Sequence, residues 1–178
     1  MKRDQFEHTI RAASAILGAT KVLVIGSQAI HASYDGTIPE AQRSIETDIA
    51  DFEDEDSMKA DLIDGSIGEL SMFQETFGYY AQGVSVKTAI LPAGWKKRLI
   101  PYCTPTMNGV TALCLEPHDL WISKAIANRP KDVAFCKALS RRKLVKPTIL
   151  FSRLKKVRHL DPKIRALVEE RIQAIVCS

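Results

Sequence analysis

The run Lys21-Val22-Leu23-Val24-Ile25, closed by Gly26-Ser27, constrains the fold more than any other stretch of the chain. It is a continuous apolar segment of strand length, rich in β-branched residues, with no polar alternation to give one wet face. Such a strand is buried on both faces, so the chain must place further strands beside it and helices over it. Gly26-Ser27 then opens a short helix over 28–34. A strand ending in Gly-Ser at a helix start presents unpaired backbone N–H groups next to a residue without a Cβ. That arrangement suits an anion.

The rest of the chain supplies those partners. Phe6, Ile10, Ala13, Ile16 and Leu17 recur at helical spacing, with Asp4 as cap and Gly18 as stop. A second strand is expected over 45–49, followed by the acidic stretch 51–56 and a helix over 57–64 that ends at Gly65 and Gly68. A short helix over 71–77 leads to strands at 79–81 and 84–91, then at 98–103 and 110–115. Pro117 and Pro130 each start a helix in the first-turn position that proline tolerates best. Two basic helices, 147–157 and 161–176, finish the chain. The order is helix, strand, helix, several strands and then helices, which predicts an α+β fold. The domains read as an α/β core over 1–115 and a helical region over 116–178 packed on it.

Ser44-Ile45-Glu46-Thr47-Asp48-Ile49 carries the chemistry. On a strand, residues two apart share a face, so Glu46 and Asp48 project together about 7 Å apart, with Ile45, Thr47 and Ile49 turned to the core. Paired carboxylates repel unless a cation lies between them. Hard oxygen donors of this kind suit Mg²⁺, which takes one or two carboxylates and completes its shell with substrate phosphates.

A phosphate-type turn followed by an acid-x-acid strand resembles the nucleotidyltransferase superfamily over about residues 20–50. That family pairs Gly-Ser or Gly-Gly at a helix start with an acidic strand. A looser resemblance runs through Glu116-Pro117-His118-Asp119-Leu120, Lys124 and Arg129-Pro130-Lys131-Asp132. There the chain is similar to small bacterial nucleotidyltransferase-like proteins related to abortive-infection toxins. The resemblance implies a small mixed sheet flanked by helices, with NTP as substrate and Mg²⁺ as cofactor. It implies Glu46 and Asp48 as the catalytic metal ligands, and Gly26, Ser27 and Lys124 as nucleotide-binding residues. Lys87, on a strand expected beside the site, is a cation placed to hold a triphosphate. It also implies a toxin-like transfer of a nucleotidyl group to RNA or protein. Two departures stand out. Glu46 replaces the usual first Asp, and the strand aligned with the family's third carboxylate, 84–90, holds no acid. Asp51, Glu69 and Glu75 are the alternatives. The second reading is therefore a catalytically degenerate binding module that acts through a partner protein or RNA.

Charge divides the chain unevenly. From Arg141 onward there are eleven basic residues against three acidic ones. That excess points to a polyanion, and an RNA acceptor on the C-terminal helices is expected from it. Trp95, beside Lys96-Lys97-Arg98, offers a stacking ring among cations. No stretch approaches the ~20 apolar residues of a membrane span, and the basic N-terminus has no apolar run behind it, so neither a membrane segment nor a signal peptide is expected. Cys103, Cys114, Cys136 and Cys177 lack metal or redox spacing and read as free thiols in a reducing, cytoplasmic setting. His8, His31, His118 and His159 read as structural.

Overall fold

The computed structural model describes residues 1–52 and 57–176. The acidic residues 53–56 and Cys177 lie outside them. The chain divides into two compact units. The first comprises Met1–Ala89 with Leu99–Leu115, and the second Ile90–Arg98 with the chain from Glu116 onward.

The first unit is built on a five-stranded mixed sheet of order β3-β2-β1-β5-β4. Its strands are β1 (Lys21–Val24), β2 (Glu46–Ala50), β3 (Tyr80–Gly83), β4 (Ile100–Tyr102) and β5 (Thr111–Cys114). The apolar β1 takes the centre, as its double burial demands. It pairs antiparallel with β2 and parallel with β5. Helices α1 (Arg3–Leu17) and α3 (Met58–Ile67) pack on each other and on the sheet. Gly18 ends α1 in the left-handed region at φ +60°, a conformation that costs glycine little. Between β1 and β2 stand a 3₁₀ turn, Ser27–Ala32, and the four-residue α2 (Pro39–Gln42); α4 (Met72–Phe77) precedes β3.

Several expectations need correction. Gly26-Ser27 does open a short helix, but it is a 3₁₀ helix and ends at Ala32 rather than at residue 34. Gly65 lies inside α3, which runs on to Gly68. Ile45 is not core but 47% exposed, because β2 starts one residue later. No strand spans 84–91. Val84 N still donates to Ile49 O (2.8 Å), but Ser85 Oγ then accepts from Lys87 N, and Thr88 N closes a 3₁₀ turn on Ser85 O. A serine hydroxyl has outcompeted the strand ladder for the backbone.

His31, on the 3₁₀ turn, stacks on the fully buried Phe6 with ring centroids 5.1 Å apart. Burial, helped by the charges of Arg3 and the α-amino group, lowers its pKa from 6.5 to about 4. The unfolded chain therefore binds more protons between those values, so stability is present above pH 6.5 and is lost as pH falls toward 4. Thermal unfolding across that window should show a falling midpoint in the wild type and a flatter profile in His31→Gln. The α-amino group, lowered to about 6, adds a loss between pH 8 and 6 in both proteins. Parallel profiles below pH 6 would remove His31 from the account.

The second unit is helical, with α5 (Pro117–Ala127), α6 (Pro130–Arg141), α7 (Pro147–Leu154) and α8 (Pro162–Val176). Every one begins on a proline. Glu116 caps α5 by accepting from His118 N and Asp119 N. The His118 Nε2 accepts from Lys146 N (2.9 Å), which leaves its Nδ1 proton for Glu116. Arginines staple the helix ends. Arg165 donates to Leu154 O and Val157 O, and Arg171 to Ala125 O. Part of the basic excess is thus internal architecture. Among the described residues no helix is long and apolar enough to cross a membrane. Of the described cysteines, Cys114 and Cys136 are buried and Cys103 is exposed, all as free thiols.

Candidate functional site

The register of the sheet builds the site. Ile25 N donates to Asp48 O (3.2 Å), which sets the end of β1 beside the middle of β2. Alternation then turns Thr47 and Ile49 into the core and leaves Glu46 and Asp48, both half-buried, on the opposite face. Gly26 is the next residue. A Cβ at Gly26 would lie 1.7 Å from Asp48 Oδ2, so the carboxylate occupies the space that any side chain there would take. Gly26 has φ −91° and ψ −168°, which every residue adopts, so the glycine is required for room and not for conformation.

Two residues outside the expected set hold this arrangement. Gln28, fully buried, donates through Nε2 to Ala41 O (3.0 Å) and accepts at Oε1 opposite His31 Nε2 (3.2 Å). It ties the turn to the loop that feeds β2. Its signal in the sequence was only a polar residue directly after Gly-Ser. Tyr80 stands opposite Glu46 in the parallel β2–β3 register and donates to Glu46 Oε2 (3.2 Å). Burial pushes the Tyr80 phenol up to about 12, and the charges of Glu46, Glu69 and Asp48 add to the rise. Those three acids make the local potential negative.

The other expected residues are distributed as follows. Ser27 is half-buried at the turn. Lys87 is exposed in the 3₁₀ turn Val86–Thr88, not on a strand. Lys124 belongs to the second unit, where its Nζ lies 3.5 Å from Asp132 Oδ1. Asp132 is buried and also bonded by Arg129, whose charge together with that of Lys124 outweighs the cost of burial and holds its carboxyl below the usual range. Asp51 pairs with Lys59 at 3.0 Å. Opposite Asp48 on β3 stands Gln82, an amide. Among the described residues, no three acidic, histidine or cysteine side chains gather closely enough to hold a metal alone. A hard cation here would need ligand oxygens as well, which is the usual manner of Mg²⁺.

A small mixed sheet whose central strand ends in Gly-Ser beside an acid-x-acid strand defines a nucleotidyltransferase-type α+β protein. The chain belongs to the family described as nucleotidyltransferase of unknown function (DUF6036), whose model matches residues 5–172. No curated protein and no solved structure matches it.

Proposed function

We propose that the first unit binds a nucleoside triphosphate with Mg²⁺ at the Gly26–Asp48 junction, and that the protein transfers a nucleotidyl group to an RNA or protein acceptor. The contact of the Asp48 carboxylate with Gly26 carries this reading. A turn suited to phosphate and an acid share one spot, and a bare phosphate there would meet like charge. A divalent cation between them removes the conflict. In this reading Glu46 and Asp48 hold Mg²⁺, and Gly26 N–H and Ser27 take the terminal phosphates. Lys87, exposed in the same unit, is the candidate cation for the phosphate tail. Bound Mg²⁺ would supply charge neutralisation at the phosphates. Tyr80 fixes the rotamer of Glu46, and Gln28 fixes the distance between turn and strand. The acceptor hydroxyl would attack the α-phosphorus in line and release its proton to water, the bond to the β-phosphate would break, and pyrophosphate would leave. A toxin-like role belongs to the same proposal through the resemblance, and a cytoplasmic setting through the free cysteines.

A second reading has its own support. Gln82 opposite Asp48 leaves the neighbouring strand without an acid, which favours binding without turnover. Calorimetry with an NTP, in Mg²⁺ and in EDTA, tests the shared part: affinity should rise with Mg²⁺. Transfer of an α-phosphate label to RNA or protein then separates the readings. Label on an acceptor supports the enzyme, and tight Mg²⁺-dependent binding without label supports the module. Absence of Mg²⁺-dependent binding removes both.

A further inference from the structure

In the second unit, two segments about sixty residues apart in sequence meet around Trp95. Ala93 N donates to Lys156 O (3.0 Å), joining the loop Ile90–Arg98 to the C-terminal end of α7. Both sides are anchored. Arg98 donates to Pro92 O and Ala93 O (3.2 Å each) while its other edge grips the buried Asp119 at 2.7 and 3.1 Å. Arg165 holds Val157 O from α8. Between the segments lies a cavity of about 480 Å³. Its wall carries the half-buried Trp95 and the exposed Lys96, Lys97, Lys156 and Arg158, and among the described residues no acidic one lines it. Lys96 Nζ sits 5.9 Å from the indole centroid.

We propose that this basin is a binding subsite for single-stranded nucleic acid, in which one unpaired base stacks on Trp95 and the flanking phosphates are taken by Lys96, Lys97, Lys156 and Arg158. An aromatic face ringed by cations is the combination that binds single strands without reading sequence. A duplex keeps its bases stacked internally and leaves the ring unused. An acidic peptide would engage the cations alone. Arg98, committed to Asp119, and Lys155, outside the basin wall, take no part. As an acceptor surface the subsite rests on the transfer reading, but its binding depends on second-unit residues only.

Titration of the full chain with a 12-nucleotide oligo(U), and with oligo(dT) of equal length, tests it by tryptophan emission and anisotropy. Trp121 is 2% exposed and stays silent, so quenching reports Trp95. Trp95→Ala should weaken binding roughly tenfold with an unchanged salt slope, and Trp95→Phe should keep most of the affinity. Lys156→Gln/Arg158→Gln should flatten the slope by about 1.4, two phosphates at ~0.7 each. Preference for oligo(U) would identify the strand as RNA; equal binding supports the single-strand assignment. Unchanged affinity in Trp95→Ala, no quenching in the wild type, or equal displacement by polyglutamate would overturn the proposal. Should Trp95→Ala misfold by circular dichroism, wild-type quenching and the Lys156/Arg158 slope decide. Asp48→Asn should bind the oligonucleotide as the wild type does, so failure at the nucleotide site and failure here are told apart.

Discussion

Asp48→Asn and Gly26→Ala are expected to produce the same defect by opposite routes. The first removes the negative charge and keeps the shape, since an amide is no substitute for a charged ligand to Mg²⁺. The second keeps the charge and moves it. A Cβ at position 26 would stand 1.7 Å from Oδ2 and 2.5 Å from Cγ, so the carboxylate must swing to another rotamer. The backbone at Gly26 accepts alanine without strain, but the new Cβ would also stand 2.8 Å from Asp48 Cβ, which no rotamer moves, so the turn and β2 must shift apart as well. The variant should therefore lose about 1–3 kcal/mol, as overpacking does. A displacement of an ångström or more at a reacting centre costs on the order of 10²-fold. Both variants should lose most of the Mg²⁺-dependent gain in NTP affinity, and Asp48→Asn should keep a thermal midpoint near the wild type. Asp48→Asn should also bind NTP better in EDTA than the wild type does, because the like charge has gone. Wild-type Mg²⁺ dependence in Gly26→Ala would show that the position of Asp48 against the turn has no functional weight.

The largest expected loss of stability lies in the other unit. Asp119 is 1% exposed and meets two guanidiniums, Arg98 through a two-bond fork and Arg153 at 3.2 Å. The Arg153 Nε makes a charge contact there but no aligned hydrogen bond. Burial pushes the Asp119 carboxyl up, and the two arginines oppose that rise. Asp119→Ala removes the shared anion and leaves two cations facing each other in a largely dry site. Breaking a buried ion group in this way costs about 3–5 kcal/mol. Urea denaturation should record it as a lower midpoint at constant slope. Replacing all three together, as Asp119→Leu/Arg98→Met/Arg153→Met, should recover part of the loss, because apolar packing does not leave a charge stranded. A loss under about 1 kcal/mol for Asp119→Ala would place the cluster with ordinary surface pairs.

What could be read from the residues was mostly local. The apolar run of β1 announces a central strand, and Pro117, Pro130 and Pro162 each mark a helix start that the structure keeps. The alternation of Glu46, Thr47 and Asp48 is enough to put both acids on one face. What could not be read was non-local or competitive. The strand expected over 84–91 was lost to one hydroxyl, that of Ser85. The role of Tyr80 depends on the β2–β3 register, which no single segment encodes. Gln28 is a polar residue whose partners lie on a later loop. The approach of Trp95 to Lys156 is a product of tertiary packing alone. Lys124 and Asp132 show the limit from the other side: they pair although Asn128, at φ +58°, and Pro130 divide their helices.

The sheet order has a consequence for how the chain is made. One side of β1 is filled early, since Leu23 pairs with Ala50, about 27 residues on. The other side waits for β5, since Lys21 pairs with Thr111, about 90 residues on. At ribosomal rates of about 5–20 residues per second, that gap lasts roughly 4–18 s. During it the most apolar strand of the protein has an open edge of unpaired backbone groups, the kind of surface on which chains join one another. The first half of the nascent chain is therefore the part with greatest need of a chaperone, and a truncation ending before residue 111 is an aggregating species rather than a smaller working site.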